Sequence, residues 1–137
     1  MKTQVSNLQK RFKIDSQQIK KVASYAMFFL NLKKLSLTFY FVSNYQIKRL
    51  NRRFFYKNCL TDVICFPIES GYAEIVIAPH VVSMNAIKNH VPFLHEIFRC
   101  VIHGILHAAG HTDYAQNKRR IMWRKQEFLL KKVLYSF

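Results

Sequence analysis

The chain has 137 residues, half of them hydrophobic and 15% aromatic, with three Gly and three Pro, so it holds enough apolar material for one core, too little for two, and is not disordered. Lysine and arginine number 22 against seven acidic residues; the formal charge of +15 points to a polyanion, nucleic acid first, although a lysine-rich codon bias produces the same balance. Cys59, Cys65 and Cys100 form no CxxC pair and read as small buried hydrophobes, which excludes a disulfide framework or a disulfide-linked partner, and no stretch has the length and apolarity of a secretory signal or membrane span, so a cytoplasmic location is expected.

In chain order, Ser16 is the expected N-cap of a first helix over residues 16 to 31, with Ile19, Val22, Ala23, Ala26 and Leu30 at helical spacing. In KLSLTFYFVSN, Leu35, Leu37, Phe39 and Phe41 alternate with Ser36, Thr38, Tyr40 and Val42, the period of a half-buried strand. Asn44 is expected to cap a short basic helix, YQIKRLNRRF. TDVICFP reads as a strand stopped by Pro67, and YAEIVIA as its neighbour after Gly71. Pro79 starts a helix to about Asn89, and residues 92 to 109 form a long buried helix ending at Gly110. Residues 115 to 134 form a last helix, with Ile121, Phe128, Leu129 and Val133 facing in and Lys118, Arg119, Arg120, Arg124, Lys125, Lys131 and Lys132 facing water. The expected fold is α+β, one domain over 1–137: a small mixed sheet of about four strands packed with about five helices.

The stretch HGILHAAGHTD carries three of the six histidines. His103 and His107, four apart, project from one face of the long helix, where two imidazoles can share an ion. Gly110 permits the left-handed turn that brings Asp113 back as a third ligand. His111 has the right chemistry for a ligand but falls in the turn, facing solvent or substrate, so Asp113 is the expected third ligand. Three protein ligands with a fourth position open is the arrangement of a catalytic zinc site, and the expected cofactor is one divalent ion, zinc first. A histidine pair at this spacing is also found as two satisfied polar groups at a core edge; the added Gly and Asp weigh against that.

These residues resemble the YbeY family, bacterial endoribonucleases of ribosomal RNA maturation, whose pattern here is HGxLHLxGYxH. LNRRFFYKNCLTDVICFP is similar to the family's LNxxYRxxDxxTDVLSFP block, and AEIVIAPHVVSMNA to its GDIxIxxxxxxxNA block, so the likeness covers about residues 45 to 130. The resemblance implies a zinc-dependent, single-strand-specific endoribonuclease acting in 16S ribosomal RNA 3′-end maturation and ribosome quality control, with ribosomal RNA and the small ribosomal subunit as partners and His103, His107 and Asp113 as ligands. Asp113 stands where most members place a third histidine; its charge makes a bound water less acidic and relaxes metal selectivity. Phe55 stands at the position of a family arginine, and the neighbouring Arg52 and Arg53 are the candidates for its catalytic or RNA-binding part. Asp62 matches the family's TDV block and serves either there or as the cap of a strand end.

A basic surface that recruits the phosphate backbone beside a metal site agrees with that reading. Arg99, one turn before His103, faces the cleft as an RNA contact or braces Glu96, the pair being the stronger expectation. Arg119, Arg120 and Arg124 are further candidate RNA contacts, on a last helix whose simpler reading is a solvated cationic face with Trp123 packed on the core. HxxxHxxGxxD also has the spacing of zinc metallopeptidases, but Gly104 occupies the position of their general-base Glu. A metal-stabilised RNA- or ribosome-binding assembly factor that does not cut is the remaining alternative. A two-histidine, one-carboxylate oxygenase is remoter, because its usual HxD start is missing.

Overall fold

The structure, a computed structural model, describes residues 2–136. Its elements run β1 (Thr3–Asn7), α1 (Ser16–Phe29), β2 (Ser36–Phe41), α2 (Asn44–Phe55), β3 (Val63–Glu69), β4 (Tyr72–Ile77), α3 (Pro79–Lys88), α4 (Phe93–Ala108) and α5 (Gln116–Ser136). The sheet order is β1-β2-β4-β3, with β1, β2 and β4 parallel and β3 antiparallel to β4. This is the expected α+β architecture with a mixed four-stranded sheet. β1 carries no periodic signal of its own; it exists because Thr3–Asn7 pairs along Leu37–Phe41.

Strand alternation divides the molecule. Leu37, Phe39 and Phe41 of β2 and Ala73, Ile75 and Ile77 of β4 face one side, where α1, α4 and α5 complete the main core. The opposite side holds a small cluster of Val42, Ile47, Ile64, Val76 and Ala78, with α2 as its cover. Helix α4 runs through the middle, and nine of its residues, from Glu96 to Leu106, are buried. Gly104 permits that position: a Cβ there would lie 2.5 Å from Cγ2 of Ile75, so a side chain would push α4 off the sheet.

The local signals differ from expectation in identifiable ways. The cap of α1 is Asp15, whose carboxylate accepts from the Gln17 and Gln18 amides, and α2 is capped by Ser43 in a reciprocal box with Gln46. β3 runs through Pro67 instead of stopping there, because it is an edge strand and bulges between Pro67 and Glu69. In α5 the buried stripe is Met122, Gln126, Leu129, Leu130 and Val133. That helical register leaves Ile121 and Phe128 exposed and turns Trp123, 59% exposed, out of the core. Of the cysteines, Cys100 is buried and Cys65 half-buried, but Cys59 is exposed in the loop after α2; all three are free thiols.

Candidate metal centre

His103 and His107 lie on the last turns of α4, and the chain then stops: the amides of Gly110 and His111 bond back to the His107 and Leu106 carbonyls. Gly110 has φ +98°, the left-handed geometry glycine permits, and the reversal brings Asp113 beside the histidines. The Nε2 atoms of His103 and His107 are 3.1 Å apart, Asp113 Oδ2 is 4.0 Å from His107 Nε2, and the ligand atoms of all three residues fall within 4.8 Å of one another. Tetrahedral bonds of the usual length to zinc put ligand atoms about 3.3 Å apart, so the set fits a divalent ion after small adjustments. His111 is not part of this group: its Nε2 faces Lys125 Nζ at 3.3 Å, and burial, then the lysine charge, lower its pKa.

The orientation of His103 is fixed from α5. Its Nδ1 lies 2.6 Å from Gln126 Oε1, an atom that only accepts, so Nδ1 is the donor in this pair and Nε2 is the ring nitrogen turned toward the cluster. Gln126 Nε2 donates to Glu127 Oε2 at 3.0 Å, and Arg99 grips the same carboxylate through Nε and Nη2, both at 2.9 Å. Arg99 also pairs with Glu96. The expected Arg99–Glu96 brace is therefore present, and it extends to a second carboxylate that the sequence did not suggest. Burial works to raise the pKa of Glu127, but hydrogen bonds from Arg99 and Gln126 outweigh it and hold the group below its ordinary value. For His107, burial and then the charge of His103 lower the pKa from 6.5, against a smaller opposing effect of Asp113, so the ring is neutral at pH 7 and able to ligate.

The cluster opens onto a cavity of about 270 Å³ whose walls include Asp62, Glu96, Arg99, Arg119 and Trp123. Asp62 serves as the local cap that its position suggested, accepting from the Val63 amide at 2.8 Å, while its Oδ2 lies 3.7 Å from the Cys100 thiol. Burial, then the Asp62 charge, pushes that thiol pKa up, which leaves Cys100 protonated and unreactive. Arg119 reaches the Asp113 carbonyl through Nε at 3.2 Å. Arg120 and Arg124 are exposed on α5, as are Lys118 and Lys125. Arg52 and Arg53 do not join this site: they line a separate cavity with α2 and the opposite sheet face, and Phe55 leans on Phe66 with ring centroids 5.9 Å apart. Gly104 faces Ile75 and not the cavity, so the position of a peptidase base is turned into the sheet.

The profile of the endoribonuclease YbeY family matches residues 4–134, nearly the whole chain. The chain belongs to the YbeY family. An endoribonuclease YbeY of Carboxydothermus hydrogenoformans is 30% identical over 135 residues, covering 93% of this chain and 94% of that protein. One from Thermotoga neapolitana is 42% identical over 94 residues, which span 67% of this chain and 63% of the relative. The solution structure of a Thermotoga maritima protein superposes with a TM-score of 0.72 at 26% identity, covering 99% of this chain and 91% of the other. The YbeY proteins are named as endoribonucleases, hydrolases acting on RNA. Gln126 and Glu127 carry no motif; a glutamine in phase with Met122 and Leu129 on an apolar helix stripe is the one visible signal of the pair.

Proposed function

We propose that this chain is a metal-dependent endoribonuclease, a single domain over residues 1–137 that cuts single-stranded ribosomal RNA in the cytoplasm, in 16S 3′-end maturation and ribosome quality control at the small ribosomal subunit. The observation that carries the reading is the His103, His107 and Asp113 group, with its donor atoms within 4.8 Å, in a YbeY member of charge +15. Zinc is the first choice of ion for two imidazoles and a carboxylate with a fourth position open.

A divalent ion held there supplies Lewis-acid stabilisation of the phosphodiester's developing charge and a more acidic water. The chain supplies the rest. Gln126 fixes His103 with its proton on Nδ1, the neutral His107 donates its lone pair, and Arg119 ties down the turn that carries Asp113. Arg99 is held between Glu96 and Glu127, which suits it to positioning the cavity wall rather than gripping phosphate. Arg119 lines the cavity and Arg120 and Arg124 are exposed on the same helix, which suits them to the RNA strand, and Trp123 in the cavity wall offers a ring to a base. The cleavage-free assembly factor shares the charge and the metal; it differs only in whether RNA is cut.

The test is elemental analysis of the purified protein beside Asp113→Ala, with both assayed on single-stranded ribosomal RNA. About one equivalent of zinc or a similar ion, lost together with cleavage in the variant, is the expected result. A metal-free native protein, or one whose metal and cleavage persist without Asp113, overturns the reading, and RNA binding with metal but without cleavage leaves the assembly factor.

A further inference from the structure

The larger cavity lies on the face of the sheet away from the metal centre. It measures about 810 Å³ and is bounded by α2, the outward side chains of β2 and β4, and the end of β3. No lining residue is shared with the metal cavity. Two features of its wall are unusual together. Arg49, Arg52 and Arg53 stand exposed along α2, and among the described residues none of them pairs with a carboxylate. The one acidic residue in the wall, Glu74, is engaged by the hydroxyls of Tyr40 and Tyr72 at 3.2 and 3.1 Å. The face is thus a net cationic trough.

Its rings are presented to solvent. Phe54 is exposed against Phe66, with Arg53 lying 5.6 Å over its ring. Tyr56 ends α2 in the left-handed region, φ 56° and ψ 28°, and its side chain is 92% exposed. That backbone is the left-handed cap of the helix, in which the Tyr56 and Lys57 amides bond the Arg52 and Asn51 carbonyls, and it leaves the ring unpacked. Cations for phosphates beside solvent-exposed rings for bases are the combination that single strands require, whereas an acidic peptide would use the cations and leave the rings idle.

We propose that this outer face is a second RNA site, which holds a single-stranded segment of the substrate by stacking on Tyr56 and Phe54 and by phosphate contacts to Arg49 and its neighbours, while another part of the strand lies at the metal centre. The proposal rests on the RNA-cleaving reading, and its test separates the two. Metal-loaded protein is titrated with a labelled, 2′-O-methylated oligouridylate, which is not cut, and fluorescence anisotropy is followed at several salt concentrations; cleavage of ribosomal RNA is measured in parallel. Tyr56→Asn keeps a residue that tolerates the left-handed backbone and removes the ring. It is expected to weaken binding about tenfold, as the loss of one stacked base does, with Tyr56→Phe remaining native-like. Arg49→Glu is expected to weaken binding and to lower the salt slope by about one unit. His103→Ala should lose cleavage and still show the Tyr56 effect. Binding unchanged in both Tyr56→Asn and Arg49→Glu, or no oligouridylate binding by the native protein, overturns the second site, and loss of cleavage in His103→Ala still stands for the first reading. If these variants instead lose binding of labelled polyglutamate and keep oligouridylate, the face serves an acidic protein and the proposal fails.

Discussion

Gln126→Met tests whether α5 prepares the metal centre or only covers it. The substitution keeps the length and most of the volume of a side chain that is 7% exposed, and removes the acceptor 2.6 Å from His103 Nδ1. Without it the imidazole can turn about its own axis, and a part-buried N–H is left unpaired, which costs the metal-free protein about 1 kcal/mol. Loss of such a supporting hydrogen bond typically weakens metal binding about 10- to 100-fold, or about 1.4 to 2.7 kcal/mol. Because this bond is short and the ring is otherwise held only on the helix, a Kd for zinc raised at least about tenfold is expected, read by competition against a chromophoric chelator, with circular dichroism unchanged. Gln126→Glu supplies a charged acceptor and is expected to restore or tighten binding. A methionine variant that binds zinc within about twofold of the native protein refutes the reasoning, since His103 would then need no orientation from α5.

Two further outcomes follow from the packing and the titrating groups. Gly104→Ala places a methyl 2.5 Å from Ile75 Cγ2; overpacking costs about 1–3 kcal/mol against about 1 kcal/mol of gained helix propensity, so thermal unfolding should fall by a few degrees, and Ile75→Ala, which removes the clashing atoms, should lessen the penalty of the alanine in a double-mutant cycle. An unchanged midpoint and simple additivity would mean that α4 and the sheet are not in register-defining contact. The folded pKa of His107 lies below its ordinary 6.5, so between the two values the unfolded chain binds the extra proton. The His107 contribution to metal-free stability is therefore present above pH 6.5 and is lost as pH falls through the folded value, and metal affinity drops over the same acid range. His111, also lowered, acts in the same direction, and comparing His107→Asn with the native protein in melts from neutral pH down to about 5 separates them; an acid loss identical in both would remove His107 from the account.

The parts legible in the sequence are those that repeat or punctuate. Helix α4 could be read because its apolar residues recur with the helical period and Gly110 ends it; the pairing of His103 with His107 followed from spacing along that helix, and the approach of Asp113 from the turn at Gly110. The caps fall one residue before the expected Ser16 and Asn44, at Asp15 and Ser43, because two adjacent polar residues offer the same chemistry and only the backbone chooses. β1 left no signature because an edge strand of five residues owes its existence to its partner. The network Arg99–Glu127–Gln126–His103 joins the consecutive helices α4 and α5, and the periodicity within either helix does not encode how the two faces meet. Trp123 shows the same limit from the other side: its apolarity suggested the core, and a register one residue away put it at the rim of the cavity.

Pro67 has a bearing on how this chain lives among copies of itself. A sheet with parallel, sequence-distant pairings forms slowly and shows its borders to other chains while it does so. On one border, β3 carries a residue with no amide hydrogen and a bulge immediately after it, so an incoming strand loses its register there. On the other, β1 offers only five residues. Neither border is a long, regular template, and together with strong mutual repulsion from the cationic surface this should keep half-folded copies from zipping into one another.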